Sequence, residues 1–183
     1  MGEIKKPQKV KLFIGVIISQ KSLPILNDLK ENLKKKFGSI DRESGIIPFE
    51  ITNYYQKETG PQLKKIFFSF KKLINPEKLA TIKIWTNNLE KKLAQKYNQF
   101  PRPINLDPGY LTLANVILAT TKGQAHRIYL GKGIYAEVTL LYQKGKFKNL
   151  PWTYLDYRQK SYHSFFLKMR ADLKIYLNNL NKK

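Results

Sequence analysis

The stretch KLFIGVII at residues 11–18 constrains the fold more than any other. It is apolar nearly throughout, rich in β-branched residues and bounded by polar ends, the pattern of a buried strand. It is far too short to span a bilayer. The opening MGEIKKPQKV lacks the apolar run of a signal peptide, so the expectation is a cytoplasmic protein with no membrane segment. The residues that follow decide what surrounds that strand. SLPILNDLKENLKKKFG reads as a helix, with Ser22 as N-cap, Pro24 in the first turn, Leu26, Leu29 and Leu33 facing inward, and Gly38 as the stop. GIIPFEITNYY (45–55) and QLKKIFFSFKKLI (62–74) read as strands paired antiparallel around QKETGP. Residues 76–97 form a second helix, capped by Asn75, with Pro76 at its first position and Glu77 favouring its positive end. Ile82, Trp85, Leu89 and Leu93 share one face of that helix; Lys83, Asn87 and Glu90 share another.

That order, β-α-β-β-α with INLDPGYLTL as the next strand, predicts an α+β fold. Its first half is ferredoxin-like, with helices on one side of an antiparallel sheet. The second half adds a hairpin, AHRIYL and IYAEVTLLY on either side of GKG, whose two glycines can take the positive φ of a three-residue loop. ANVILATT is readable as a short helix or a strand. YHSFFLKMRADLKIYLNNL is a closing helix, with Phe165, Met169, Leu173 and Tyr176 at helical spacing. The 183 residues read as a single domain, with a basic N-terminal tail at 1–9 and a C-terminal tail at 178–183. A chain of this length buries a core without a staple. It has no cysteine, which excludes disulfides, thiolate metal sites and a cysteine nucleophile.

The formal charge is +21. A polyanion such as RNA, or a nucleotide, is one partner that such a balance would attract. The competing reading is solvated lysine on helix faces such as LKENLKKKFG, since the charge runs along the whole chain.

With GKG as the loop, Leu130 pairs with Ile134, Tyr129 with Tyr135, Ile128 with Ala136, and Arg127 with Glu137. Alternation then puts Ile128, Leu130, Ile134, Ala136, Val138 and Leu140 on a core face, and Arg127, Tyr129, Tyr135, Glu137 and Thr139 on a polar one. Arg127 on that face suits a phosphate or carboxylate, tyrosines can stack, and Glu137 can orient Arg127 or act as a base. Plain sheet-surface decoration is the alternative. His126 falls on the core side. The two histidines share no spacing, so no histidine metal site is expected. The loop TTKGQAHR (120–127) offers Lys122 and backbone N–H groups to an anion, though the P-loop pattern occurs nowhere.

In RPINLDPGY (102–110), DPGY reads as a β-turn that holds Asp107 rigidly beside Arg102 and Asn105. EITNYYQKETG adds Thr52, Asn53, Tyr55 and Glu58. In LPWTYLDYRQ (150–159), an extended backbone puts Tyr154, Asp156 and Arg158 on one side, with a local Asp156–Arg158 pair as the plainer reading. The candidate acid–base residues are therefore Asp107, Glu137 and Asp156. The candidate ligand-binding residues are Arg102, Asn105, Lys122, Arg127, Tyr129 and Arg158.

The segments FEITNYYQKETG, LATIKIWTNNLE, RPINLDPGYLTLANVILATTKGQAHRIYLGKGIYAEVTL and PWTYLDYR together resemble the bacterial family known as domain of unknown function 4416, over nearly the whole chain. YYQKETG departs from that pattern at Gln56. The resemblance implies a compact cytoplasmic bacterial protein and no particular reaction. It places weight on polar positions outside the core pattern, Lys83, Glu90 and Tyr154 among them.

Three functions fit these residues. The leading one is a protein that binds or processes a phosphate-rich ligand, RNA or a nucleotide, on the polar hairpin face. The second is an enzyme for a small metabolite, with Asp107, Glu137 and Asp156 in acid–base roles or gathered around Mg²⁺. The third is a non-enzymatic interaction module.

Overall fold

Lys11–Ser19 is buried along its entire length, as an apolar run must be when both faces of a sheet are covered. The structure is a computed structural model, and it describes residues 2–51 and 55–180. In chain order the elements are β1 (Lys11–Ser19), α1 (Ile25–Phe37), β2 (Ile40–Glu43), β3 (Ile47–Pro48), α2 (Gln56–Thr59), β4 (Leu63–Phe70), α3 (Leu79–Tyr97), β5 (Ile104–Leu111), β6 (Asn115–Thr120), β7 (Ile128–Gly131), β8 (Ile134–Gln143), β9 (Lys146–Asn149) and α4 (Lys160–Leu180). Among the described residues the strands make one antiparallel sheet of nine, in the order β2-β4-β1-β5-β6-β8-β7, with β3 also on β4 and β9 also on β8. A mixed α+β fold with an antiparallel sheet and a C-terminal helix agrees with the sequence reading. The number of strands exceeds a simple ferredoxin-like unit.

Alternation along the strands sorts the core into two layers. Leu12, Ile14, Val16 and Ile18 of β1 meet α1 and α3 on one face. Phe13 and Phe67 meet Phe165, Phe166 and Met169 of α4 on the other. Helices therefore cover both faces and not one. In α4 the buried position is Leu177, and Tyr176 is exposed. The helix continues to Leu180, well into the expected tail.

Several local expectations shift. IDRE supplies β2, where no strand was expected. The strand expected over 45–55 contracts to Ile47–Pro48; Thr52, Asn53 and Tyr54 lie outside the described residues. QKETGP contains the one-turn helix α2. Ser22 does not cap α1; it is buried and shares a hydrogen bond with Ser19 at 3.0 Å. Asn75 makes no capping bond and instead donates to Glu77 at 3.3 Å.

The main correction concerns DPGY. It is no turn: Asp107, Pro108 and Gly109 lie inside β5, paired with Gly15, Ile14 and Phe13 of β1. On the far side β6 joins β5 only from Gly109 to Leu111. Leu106 N–H turns away from β1 to reach Glu90, and Pro108 has the same parity, so its missing N–H falls on the side where the ladder has ended. That is how a proline fits within a central strand. Gly109 is required for space, not for turn geometry: a Cβ there would lie 2.4 Å from both the Ile117 carbonyl oxygen and the Phe13 ring.

Overpacking of this kind costs about 1–3 kcal/mol. We expect Gly109→Ala to lower the urea midpoint by that much free energy at an unchanged m-value. An unchanged midpoint would show that β5 and β6 are free to separate at Gly109.

Candidate functional site

Below Gly109, strands β5 and β6 part. The Leu106 backbone is then left with a donor and an acceptor that no strand satisfies, and α3 supplies both partners. Glu90 accepts from Leu106 N–H at 2.6 Å, and Lys83 Nζ donates to the Leu106 carbonyl at 2.7 Å. Lys83 also donates to Asp107 at 3.3 Å. The helix face Lys83–Glu90 seen in the sequence thus covers an open strand edge.

The wedge between the strands is part of a cavity of about 560 Å³, whose walls include Asn105 and Asp107 on β5, Thr120 on β6, Lys65 on β4, and Tyr154 and Asp156 on the connector before α4. Arg102 and Lys122 also line it. Lys65 is 1% exposed. Its ammonium is 3.7 Å from Asp107 and 3.7 Å from Asp156, and it faces the rings of Phe67 and Tyr157 at 5.4 and 5.3 Å. Gly15 makes room for it: a Cβ there would be 3.2 Å from Lys65 Cε. Asp107, with 25% of its side chain exposed, accepts from Asn105 at 2.7 Å. Asn105 in turn accepts from Arg102 at 2.5 Å, and Arg102 pairs with Glu90 at 2.7 Å.

The carboxyls differ in character. Burial raises the pKa of Asp107, but Lys83, Lys65 and Arg102 outweigh it and hold the group below the ordinary carboxylate range. Burial dominates at Asp156 and lifts it above that range, with Lys65 opposing and Asp107 adding to the rise. Burial likewise raises Glu90 against Arg102 and Lys83. The Tyr154 hydroxyl is pushed up to about 12, mainly by burial and then by Glu137.

The structure therefore brings Arg102, Asn105, Asp107, Lys122 and Asp156 to one cavity and leaves the others out. Arg127 and Glu137 do pair, at 2.8 Å, but the pair is buried and not sheet decoration. Arg127 is spent on three partners: Glu137, the Lys122 carbonyl at 2.8 Å and the Tyr154 hydroxyl at 2.6 Å. It braces the cavity wall from behind and is not one of the residues lining the cavity. Glu137 also contacts His126 Nε2 at 3.2 Å and accepts from Thr139 at 3.3 Å. His126 stacks on Trp152 and does not enter the core. With Glu137 so engaged, the three carboxylates do not converge, and no cluster of three metal-ligating side chains occurs among the described residues. The cation between Asp107 and Asp156 is Lys65 itself.

The hairpin register holds at Ile128↔Ala136 and Tyr129↔Tyr135, then shifts so that Gly131, not Leu130, meets Ile134. β7 is an edge strand, so Ile128 (69% exposed) and Leu130 are not core. Tyr129 stands away from the cavity, and its hydroxyl accepts from Gly133 N–H at 3.2 Å. The connector is not extended: Asp156–Arg158 is a 3₁₀ turn, and Arg158 donates to the Thr153 and Pro151 carbonyls at 3.0 and 3.1 Å instead of pairing with Asp156. Tyr55 lines the cavity; Glu58 is exposed outside it, and its carbonyl accepts from Arg102 N–H at 3.0 Å.

Lys65 is the residue that the sequence reading missed. Its signal was available: it shares a strand parity with Leu63 and Phe67, inside a run that is apolar on both faces.

Because Asp107 has a depressed folded-state pKa, its stabilisation is complete above the unfolded value near 4 and is lost as pH falls through the folded one. We expect Asp107→Asn to cost about 3 kcal/mol at pH 7, by leaving Lys83 and Lys65 short of a partner. Its deficit against the parent should shrink below pH 4 in denaturant titrations. A deficit that does not change with pH would remove the charge from this account.

No curated protein and no solved structure matches the chain. The family model described as domain of unknown function 4416 (DUF4416) matches residues 8–173, and the chain belongs to that family.

Proposed function

We propose that this protein binds a metabolite-sized ligand in the cavity between β5 and β6, and acts on it with Asp107 and Asp156 as the acid–base pair. The observation that carries this reading is the arrangement around Lys65. Two carboxylates from separate segments flank a buried ammonium at the wall of a cavity of about 560 Å³, within the range of small-molecule sites. Their opposite pKa shifts suit one to remain ionised and the other to exchange a proton. Of the ligands expected from the sequence, a nucleotide-sized molecule suits this volume better than an RNA strand does, because Arg127 is already occupied and Tyr129 lies elsewhere. The strand order β2-β4-β1-β5, with α1 and α3 on one face, supports a ferredoxin-like reading of the first half.

The test is a thermal-shift panel of nucleotides, sugar phosphates, organic acids, amino acids and neutral sugars, on the parent and on Thr120→Trp, which fills the wedge. A ligand at a hundred times its Kd stabilises by about 2.7 kcal/mol, or roughly 5–10 °C for a domain of this size. We expect such a shift for the parent and none for Thr120→Trp. Equal shifts in both, or RNA binding with a steep salt slope and no cavity ligand, would transfer the function to the basic surface.

A further inference from the structure

The hydrogen-bonding capacity left open around the cavity is on donors. Lys83 has two of its three donors engaged, by a carbonyl and a carboxylate. Lys65, equally buried, has no hydrogen bond among the described residues; its two carboxylate contacts are both at 3.7 Å, beyond hydrogen-bonding range. The Tyr154 hydroxyl accepts from Arg127, and its own hydrogen meets no acceptor among the described residues. Arg127, anchored by the buried Glu137, fixes the position of that hydroxyl. The acceptors are in contrast committed, Asp107 to Lys83 and Asn105. Lys65 is buried and a ligand oxygen would give its ammonium an acceptor; Tyr154 is 39% exposed, so its hydroxyl is open to a ligand entering from solvent.

We propose that the ligand presents one oxyanion, a carboxylate or a phosphate, to Lys65, with the Tyr154 hydroxyl as the second donor. The proposal rests on the cavity reading above and names the chemistry of its ligand. Asp156 then opposes the bound anion, being 3.7 Å from the same ammonium. Removing its charge should strengthen anion binding, whereas removing a purely structural residue would weaken it.

The experiment is calorimetric titration with acetate and, separately, inorganic phosphate, at constant ionic strength, on the parent, Lys65→Met, Tyr154→Phe and Asp156→Asn. We expect one equivalent bound by the parent, with whichever of the two anions binds more tightly identifying the group. Lys65→Met should weaken binding at least tenfold, Tyr154→Phe severalfold, and Asp156→Asn should tighten it severalfold. If Lys65→Met fails to fold, the opposite signs at Tyr154 and Asp156 still decide the matter. Binding of several equivalents, insensitive to Tyr154→Phe and Asp156→Asn, would be surface lysine and would overturn the proposal. No anion binding, together with a neutral compound that still shifts the parent but not Thr120→Trp, would overturn the oxyanion and leave the cavity reading standing.

Discussion

Below Gly109 the Leu106 peptide groups face a gap where a neighbouring strand would normally pair. A buried backbone donor and acceptor cannot be left so, and Glu90 and Lys83 answer both from α3. Much else follows from that one arrangement. It draws two charged side chains off a helix into the sheet, and Lys83 then needs an anion, which Asp107 supplies. Asp107 brings Asn105 and, through it, Arg102, whose own charge is met by Glu90. The ring of contacts closes on the residue that began it. The same separation of strands leaves the volume that becomes the cavity.

A backbone need explains Lys83 but not Lys65. No backbone group among the described residues bonds to Lys65, whose ammonium stands instead between Asp107 and Asp156 and against the Phe67 ring. Buried ionic groups are a weak source of stability compared with packed apolar ones. The fold nevertheless keeps the cation, with Gly15 beneath it to accommodate its stem. A buried charge that serves no backbone group among the described residues, placed at a cavity wall, is where a functional demand is best sought.

Much of the fold was legible because its signals are periodic. KLFIGVII, the face of α3 and the aromatic spacing of α4 place their elements to within a few residues. The gaps arise where the signal is local but the cause is distant. DPGY has the composition of a turn, and only the position of β6, which pairs no further than Gly109, explains why the chain stays extended through it. Ile128 and Leu130 alternate as core residues should, but β7 is the last strand of the sheet order and both side chains stay exposed. The site was half legible. RPINLDPGY and LPWTYLDYRQ stand out in a lysine-rich chain by their acids and aromatics, and both reach the cavity. Arg158 and Tyr129 look equally available in the sequence, and only the backbone groups beside them show that they are engaged.

The polar hairpin face shows how side-chain partners narrow what residue type alone suggests. Arg, Glu, His and Tyr in alternation suggest a ligand surface. Here Glu137 is the fixed point: it holds Arg127, which ties the Lys122 carbonyl and the Tyr154 hydroxyl together from behind. An arginine with three partners has little left for a phosphate, but it sets where the side chains in front of it can go. The charge of +21 belongs mostly to the outer surface, whereas the cavity is close to neutral. Any attraction of polyanions by that surface and the small-ligand binding proposed for the cavity would therefore rest on different lysines.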